Sequence, residues 1–183
     1  MPSNTAPVIV PGKPGEDAST IPPGEATPVE QEQPNEADLR FLSDMVVHHG
    51  QALEMASLAP DRSDREDVRG IASRINDTQG PEIDMMNRFL EQAGRQKVDP
   101  AATDAHQGMP GMATPEQLQA LRAADGATFD ALFLQMMIAH HEGAIAMVED
   151  VRVKGVNVRV QEIADDVAVT QVDEIDRMRG MLG

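Results

Sequence analysis

The sequence predicts an all-α protein, an antiparallel four-helix bundle preceded by an extended tail. Three observations predict it. From about Asn35 onward apolar residues recur at three- and four-residue steps, with no convincing alternation of period two. Helix start and stop signals fall at the ends of those periodic stretches. The chain also repeats itself: 41–91 aligns with 133–183 without a gap, and the 17 identities in 51 positions make each half a helical hairpin of the same design. One hairpin with a single apolar face cannot bury it alone, whereas two can bury theirs against each other about an approximate two-fold axis.

Residues 1–36 are rich in Pro, Gly, Glu, Ser and Thr, lack either period, and read as a disordered, extended tail. The first helix starts near Asn35, presents Leu39, Leu42, Met45, Val46, His49, Leu53 and Ala56 on one stripe, and stops at Pro60. Ser63 and Glu66 have capping-box spacing for a second helix. Its apolar positions are Val68, Ile71, Ile75, Met86 and Leu90; Gly80-Pro81 should kink or split it, and Gly94 should close it. The linker, 95–127, is rich in Gly, Pro, Ala and Asp, with Thr114-Pro115-Glu116 opening a short helix. A third long helix runs from about Thr128 to Lys154, capped by Gly155, and a fourth from about Asn157 to Leu182. The expected bundle domain is thus 37–183, with repeat one at 37–94 and repeat two at 128–183.

The 183 residues include 15 basic and 31 acidic ones, and a net charge of -16 argues against nucleic acid or an anionic membrane as partner. Cysteine is absent, which removes disulfides and thiolate metal sites. No run of about 18 apolar residues is present, so no membrane span is expected. The first twenty residues lack the basic and apolar regions of a signal peptide and suit the mature end of an exported protein.

The chemistry lies in two stretches, FLSDMVVHHGQALEM from Phe41 and FLQMMIAHHEGAIAM from Phe133. At about 100° per residue, His48 and His49 straddle Met45 within the apolar stripe, with Met55 on the side of His48. His140, His141, Met137 and Met147 repeat the arrangement. In the second helices Glu82 and Glu174 fall inside the stripe, Gln79 and Gln171 near its edge. An unpaired buried carboxylate or imidazolium is costly, so each must find a partner. One reading is a buried His/Glu network that fixes the register of the bundle. The other is a metal site, favoured by the convergence of four histidines, two glutamates and four methionines. Thioether with imidazole suits copper, thioether favouring Cu(I), although other divalent metals also take imidazole. In the linker, His106, Met109 and Met112 of HQGMPGM form a second candidate metal cluster, or simply dock on the bundle.

The motifs MVVHHGQALEMA and MIAHHEGAIAMV, with MPGMATPEQLQAL and ATFDALFLQMM between them, resemble the domain-of-unknown-function 305 family over about residues 37–183. The resemblance implies a ferritin-like four-helix bundle in a bacterial protein that is exported or envelope-anchored, with copper binding and copper tolerance in some members. It puts the signature at Met45, His48, His49, Met55, Met137, His140, His141 and Met147. Gly50, which stands where the second copy has Glu142, implies an asymmetric site.

The expected function is a non-enzymatic copper-binding envelope protein that sequesters copper or hands it to a transfer partner; self-association is compatible. The alternative is a structural or partner-binding bundle whose polar core only sets register. A di-metal oxidase, suggested by ferritin-like architecture, needs Glu-x-x-His motifs, and none occurs. Nucleophilic catalysis lacks a Cys or a Ser motif near the histidines, and no Gly-rich phosphate loop occurs. With histidine ligands, binding is expected to weaken below about pH 6.

Overall fold

The computed structural model describes residues 8–10, 17–22, 32–102 and 108–182. They divide into two compact units, Met1–Gln31 and Glu32–Gly183. In the first, two short strands, β1 (Val8–Val10) and β2 (Ser19–Ile21), pair antiparallel with Ile9 opposite Thr20. This corrects the expectation of no strand: three residues are too few to show a period of two. The rest of the expected tail before residue 32 lies largely outside the described residues.

The second unit is all-α. Its helices are α1 (Glu36–Ala56), α2 (Ala59–Arg62), α3 (Glu66–Gln92), α4 (Pro115–Ala123), α5 (Gly126–Lys154) and α6 (Val158–Leu182). Asn35 and Asp38 form a reciprocal capping box at the start of α1, and Thr114 and Gln117 do the same for α4. Pro60 does not end the chain's helical course; it sits at the start of the short α2. Ser63 does not cap α3, whose N-cap position is Arg65; its hydroxyl bonds the Arg65 backbone instead. Gly94 follows α3 with φ +78°, and the Arg95 and Gly94 amides reach back to Leu90 and Glu91 in the last turn.

Pro81 does not split α3, which is continuous across it. Pro81 lies on the exposed face, while Ile75, Gln79, Ile83 and Met86 bury the opposite one. Packing of that face outweighs the one backbone hydrogen bond the proline removes.

Helix α1 packs against α3 and α5, α5 against α6, and α3 against α6. The buried apolar residues form two clusters. One joins the first half of α1 (Leu39–Val46) to Ile83, Met86 and Leu90 of α3, Ala144–Val151 of α5 and Val160–Ala168 of α6. The other joins Ala52, Met55 and Ala56 of α1 to Val68–Ile75 of α3, Phe129–Met137 of α5 and Met178 of α6. Neighbouring long helices therefore run in opposite directions. The histidine pairs lie between the clusters in sequence on α1 and α5.

The turns are fastened by polar contacts. Asp38, fully buried, accepts the Val156 and Asn157 amides at 3.1 and 3.2 Å and so ties the α5–α6 turn to the start of α1. Gly155 is glycine for that reason: a Cβ there would lie 2.2 Å from Asp38 Oδ1. By length and composition α5 could cross a membrane, against the expectation of no such segment, yet half of its most apolar stretch is buried within the fold.

Candidate metal centre

All four paired histidines are fully buried, at 0 % exposure. The His48 and His140 rings meet across α1 and α5, centroids 3.8 Å apart and tilted 39°. His49 Nε2 donates to Glu82 on α3 at 2.7 Å, and His141 Nε2 donates to Glu174 on α6 at 2.7 Å. Each Glu lies 33 residues after its His. A polar layer thus crosses all four long helices, with Gln79 and Gln171 contributing buried amides.

The two halves of the layer differ. Glu174 is fully buried, and Arg74 of α3 stands 3.4 Å from its second oxygen, an ion pair rather than a hydrogen bond. The Glu82 side chain keeps 19 % exposure. His48 Nε2 donates to the Pro110 carbonyl at 2.9 Å, whereas neither ring nitrogen of His140 has a partner.

Nδ1 of all four histidines is buried and unpartnered, as are the amide atoms of Gln79 and Gln171. Buried polar atoms are normally satisfied, so this concentration of unpaired donors and acceptors suits a water or an ion as partner. Imidazole Nδ1 with its proton on Nε2 presents a lone pair suited to a soft or borderline cation, and the Glu82 and Glu174 bonds fix that tautomer for His49 and His141. The residues therefore fit a metal. Among the described residues, though, no three His, Asp or Glu side chains converge as a ready-made cluster.

Burial pushes the His48 imidazole down to about 3, against the Pro110 bond, which raises it. His140 is held well below the ordinary 6.5, first by burial and then by its histidine neighbours. Both rings are neutral at physiological pH, the state a metal needs.

Met45 packs in one apolar cluster, Met55 and Met137 in the other, all fully buried. Met147 is half-buried and lines a surface cleft with Met109. Met112 is half-buried in the linker, and His106 lies outside the described residues.

Gln51 and Arg74 were not among the expected site residues. Gln51 is buried at 3 % and clasps Ala113, accepting its amide at 2.7 Å and donating to its carbonyl at 3.1 Å. Its helical angle puts it off the apolar stripe, so periodicity carries no signal for it. Gly50 and Gly143 have a shared reason: a Cβ would lie 2.1 Å from the Pro100 carbonyl at one and 2.1 Å from the Pro110 carbonyl at the other. Linker backbone seats directly on both histidine helices.

Residues 38–182 match the family described as a domain of unknown function, DUF305. The chain belongs to the DUF305 family. A DUF305 protein of Streptomyces coelicolor, described provisionally as secreted, is 36 % identical, with a TM-score of 0.70 over 80 % of this chain and 91 % of that one. A DUF305 fragment from Deinococcus radiodurans is 29 % identical, with a TM-score of 0.74 over 83 % and 99 %. CopM in its Cu(II)-bound form is 30 % identical, with a TM-score of 0.68 over 79 % and 94 %. CopM has also been solved with Cu(I), at 26 % identity and a TM-score of 0.65. No curated protein matches the chain.

Proposed function

We propose that this DUF305 chain is a non-enzymatic copper-binding protein of the cell envelope that sequesters copper or hands it on. In this reading the four long helices form an antiparallel, ferritin-like four-helix bundle built from two repeated hairpins, 37–94 and 128–183 with linker 95–127 between. His48, His49, His140 and His141 hold copper, Met45, Met55, Met137 and Met147 supply thioethers on either side, and Glu82 and Glu174 orient His49 and His141.

The observation that carries the reading is the layer of four buried imidazoles whose Nδ1 atoms have no partner. The copper-bound forms of CopM support it, and the Streptomyces relative supports an extracytoplasmic location. The close approach of the His48 and His140 rings supports an ion shared between α1 and α5.

The two His–Glu bonds favour a second reading, in which the network only sets the register of the helices. Anaerobic titration of the metal-free protein with Cu(I) against a chromophoric chelator separates them. Tight binding that disappears when all four paired histidines become Ala supports the copper reading. No binding by the native chain leaves the structural network. Binding that survives the four substitutions moves the site to the methionines.

A further inference from the structure

The cleft between α1 and α5 brings together two residues that the sequence keeps 38 positions apart, Met109 and Met147. Its volume is about 660 Å³, and Phe41, Asp44, Asp150 and Pro110 also line it. Both methionines are half-buried, so their thioethers are neither lost in a core nor fully solvated. Of the cleft's carboxylates, Asp44 is paired with Arg40 at 3.4 Å and Asp150 with Lys154 at 2.5 Å. Those pairings weaken the cleft as a site for hard cations and leave the soft sulfur atoms as its distinctive ligands.

One wall of the cleft is also the cover of the histidines. Pro110 lines the cleft, and its carbonyl accepts His48 Nε2–H at 2.9 Å. Gly111, with φ +76°, sits so close to α5 that a Cβ would lie 2.4 Å from the Ala139 carbonyl. The far end of this strap is held by the two Gln51–Ala113 bonds. The strap therefore stands between the cleft and His48.

We propose that the cleft is an outer docking site for Cu(I), held by the Met109 and Met147 thioethers, and that the Gly108–Ala113 strap is the gate through which the ion passes to His48 and His140. This rests on the copper reading above and adds its entry route. Copper is cargo throughout and stays Cu(I). When the strap lifts, His48 Nε2–H exchanges the Pro110 carbonyl for water, and the unpartnered Nδ1 lone pair stays free for the incoming ion.

The test is the rate of anaerobic Cu(I) loading from a chromophoric chelator, followed by stopped flow, beside the equilibrium affinity. Met109→Leu should load at least about tenfold more slowly, the effect typical of losing a group that supports a metal. Its equilibrium affinity should stay within about twofold. Gln51→Ala should load faster, and exchange of the His48 Nε2 proton with solvent, read by NMR on the metal-free protein, should rise about tenfold as two hydrogen bonds are lost. Unchanged loading in Met109→Leu, with native affinity intact, overturns the docking site and leaves the copper reading standing. Unchanged loading in Gln51→Ala despite faster proton exchange overturns the gate. A native chain that takes up no Cu(I) overturns the reading and the inference together.

Discussion

Met55 and Met147 occupy equivalent places on α1 and α5, each seven residues after the first histidine of its pair, His48 and His140, yet their surroundings differ. Met55 is fully buried beside Phe133 in a cluster that includes Leu121 of α4. Met147 is half-buried beside Phe41 in an open cleft. The helix faces are alike; the linker is not. Its α4 adds Leu121 to the cluster around Met55, while its strap, with Met109 and Pro110, lines the cleft at Met147. The helical period decides which side chains face inward, and the linker decides which of them a solute can reach.

Removing the lid over Met55 should produce the largest change. Leu121 has no exposed surface, and Leu121→Ala should cost about 2–5 kcal/mol in urea denaturation through lost transfer energy and a cavity. Under mild peroxide the native chain should form sulfoxide at Met147 and Met109 well before Met55, read by peptide mass spectrometry. Leu121→Ala should bring Met55 toward the Met147 rate. Equal rates at Met55 and Met147 in the native chain would break the comparison.

The two His–Glu bonds offer a second contrast, since their lengths agree and their burial does not. Glu174→Gln disturbs a fully buried group that also faces Arg74, and should destabilise by about 3 kcal/mol. Glu82→Gln, at a side chain with 19 % exposure, should cost about 1 kcal/mol. Equal losses in thermal or urea denaturation would mean that the exposure difference is energetically idle.

Much of this architecture was legible in the sequence. The start of α1, the capping of α4 and the inward face of both histidine pairs follow from helical period and capping chemistry. Glu82 and Glu174 were legible for the same reason, since a carboxylate inside an apolar stripe must have a partner. Three things were not. The continuity of α3 through Pro81 depends on packing of the opposite face, which a local rule about proline omits. The assignment of Met45 to one apolar cluster and of Met55 and Met137 to the other depends on how the helices pair, which the period of a single helix omits. Gln51 and the strap belong to contacts between linker and helix, for which a stripe pattern has no term.

Acid should weaken the native state through the same histidines. The unfolded chain takes up a proton on His48 near the ordinary 6.5, the native chain only near 3. Stability therefore falls as pH drops through that window, by about 2 kcal/mol from His48 alone between pH 7 and pH 5, with His140 adding to it. Denaturant midpoints at the two pH values measure this. The buried rings also revise the expectation that metal binding weakens below about pH 6. While the fold holds, His48 and His140 stay neutral, and copper affinity should decline less from pH 7 to pH 5 than free imidazole would allow. A midpoint independent of pH would mean that burial does not hold His48 neutral.

The smallest effect separates glycines that the linker needs from one it does not. Gly70 lies on the exposed face of α3 with nothing within 4 Å of an added Cβ. Gly70→Ala should therefore stabilise by about 0.5–1 kcal/mol, because alanine loses less backbone entropy in a helix. Gly50→Ala and Gly143→Ala should do the reverse, costing about 1–3 kcal/mol as Pro100 and Pro110 are pushed from their seats. The two need not cost the same function. At Gly143 the displaced carbonyl is the one bonded to His48, so the variant should also speed exchange of the His48 Nε2 proton, while Gly50→Ala leaves that bond in place. Proton exchange that rises equally in both variants would mean that the whole linker, rather than the Pro110 strap, shields the histidines.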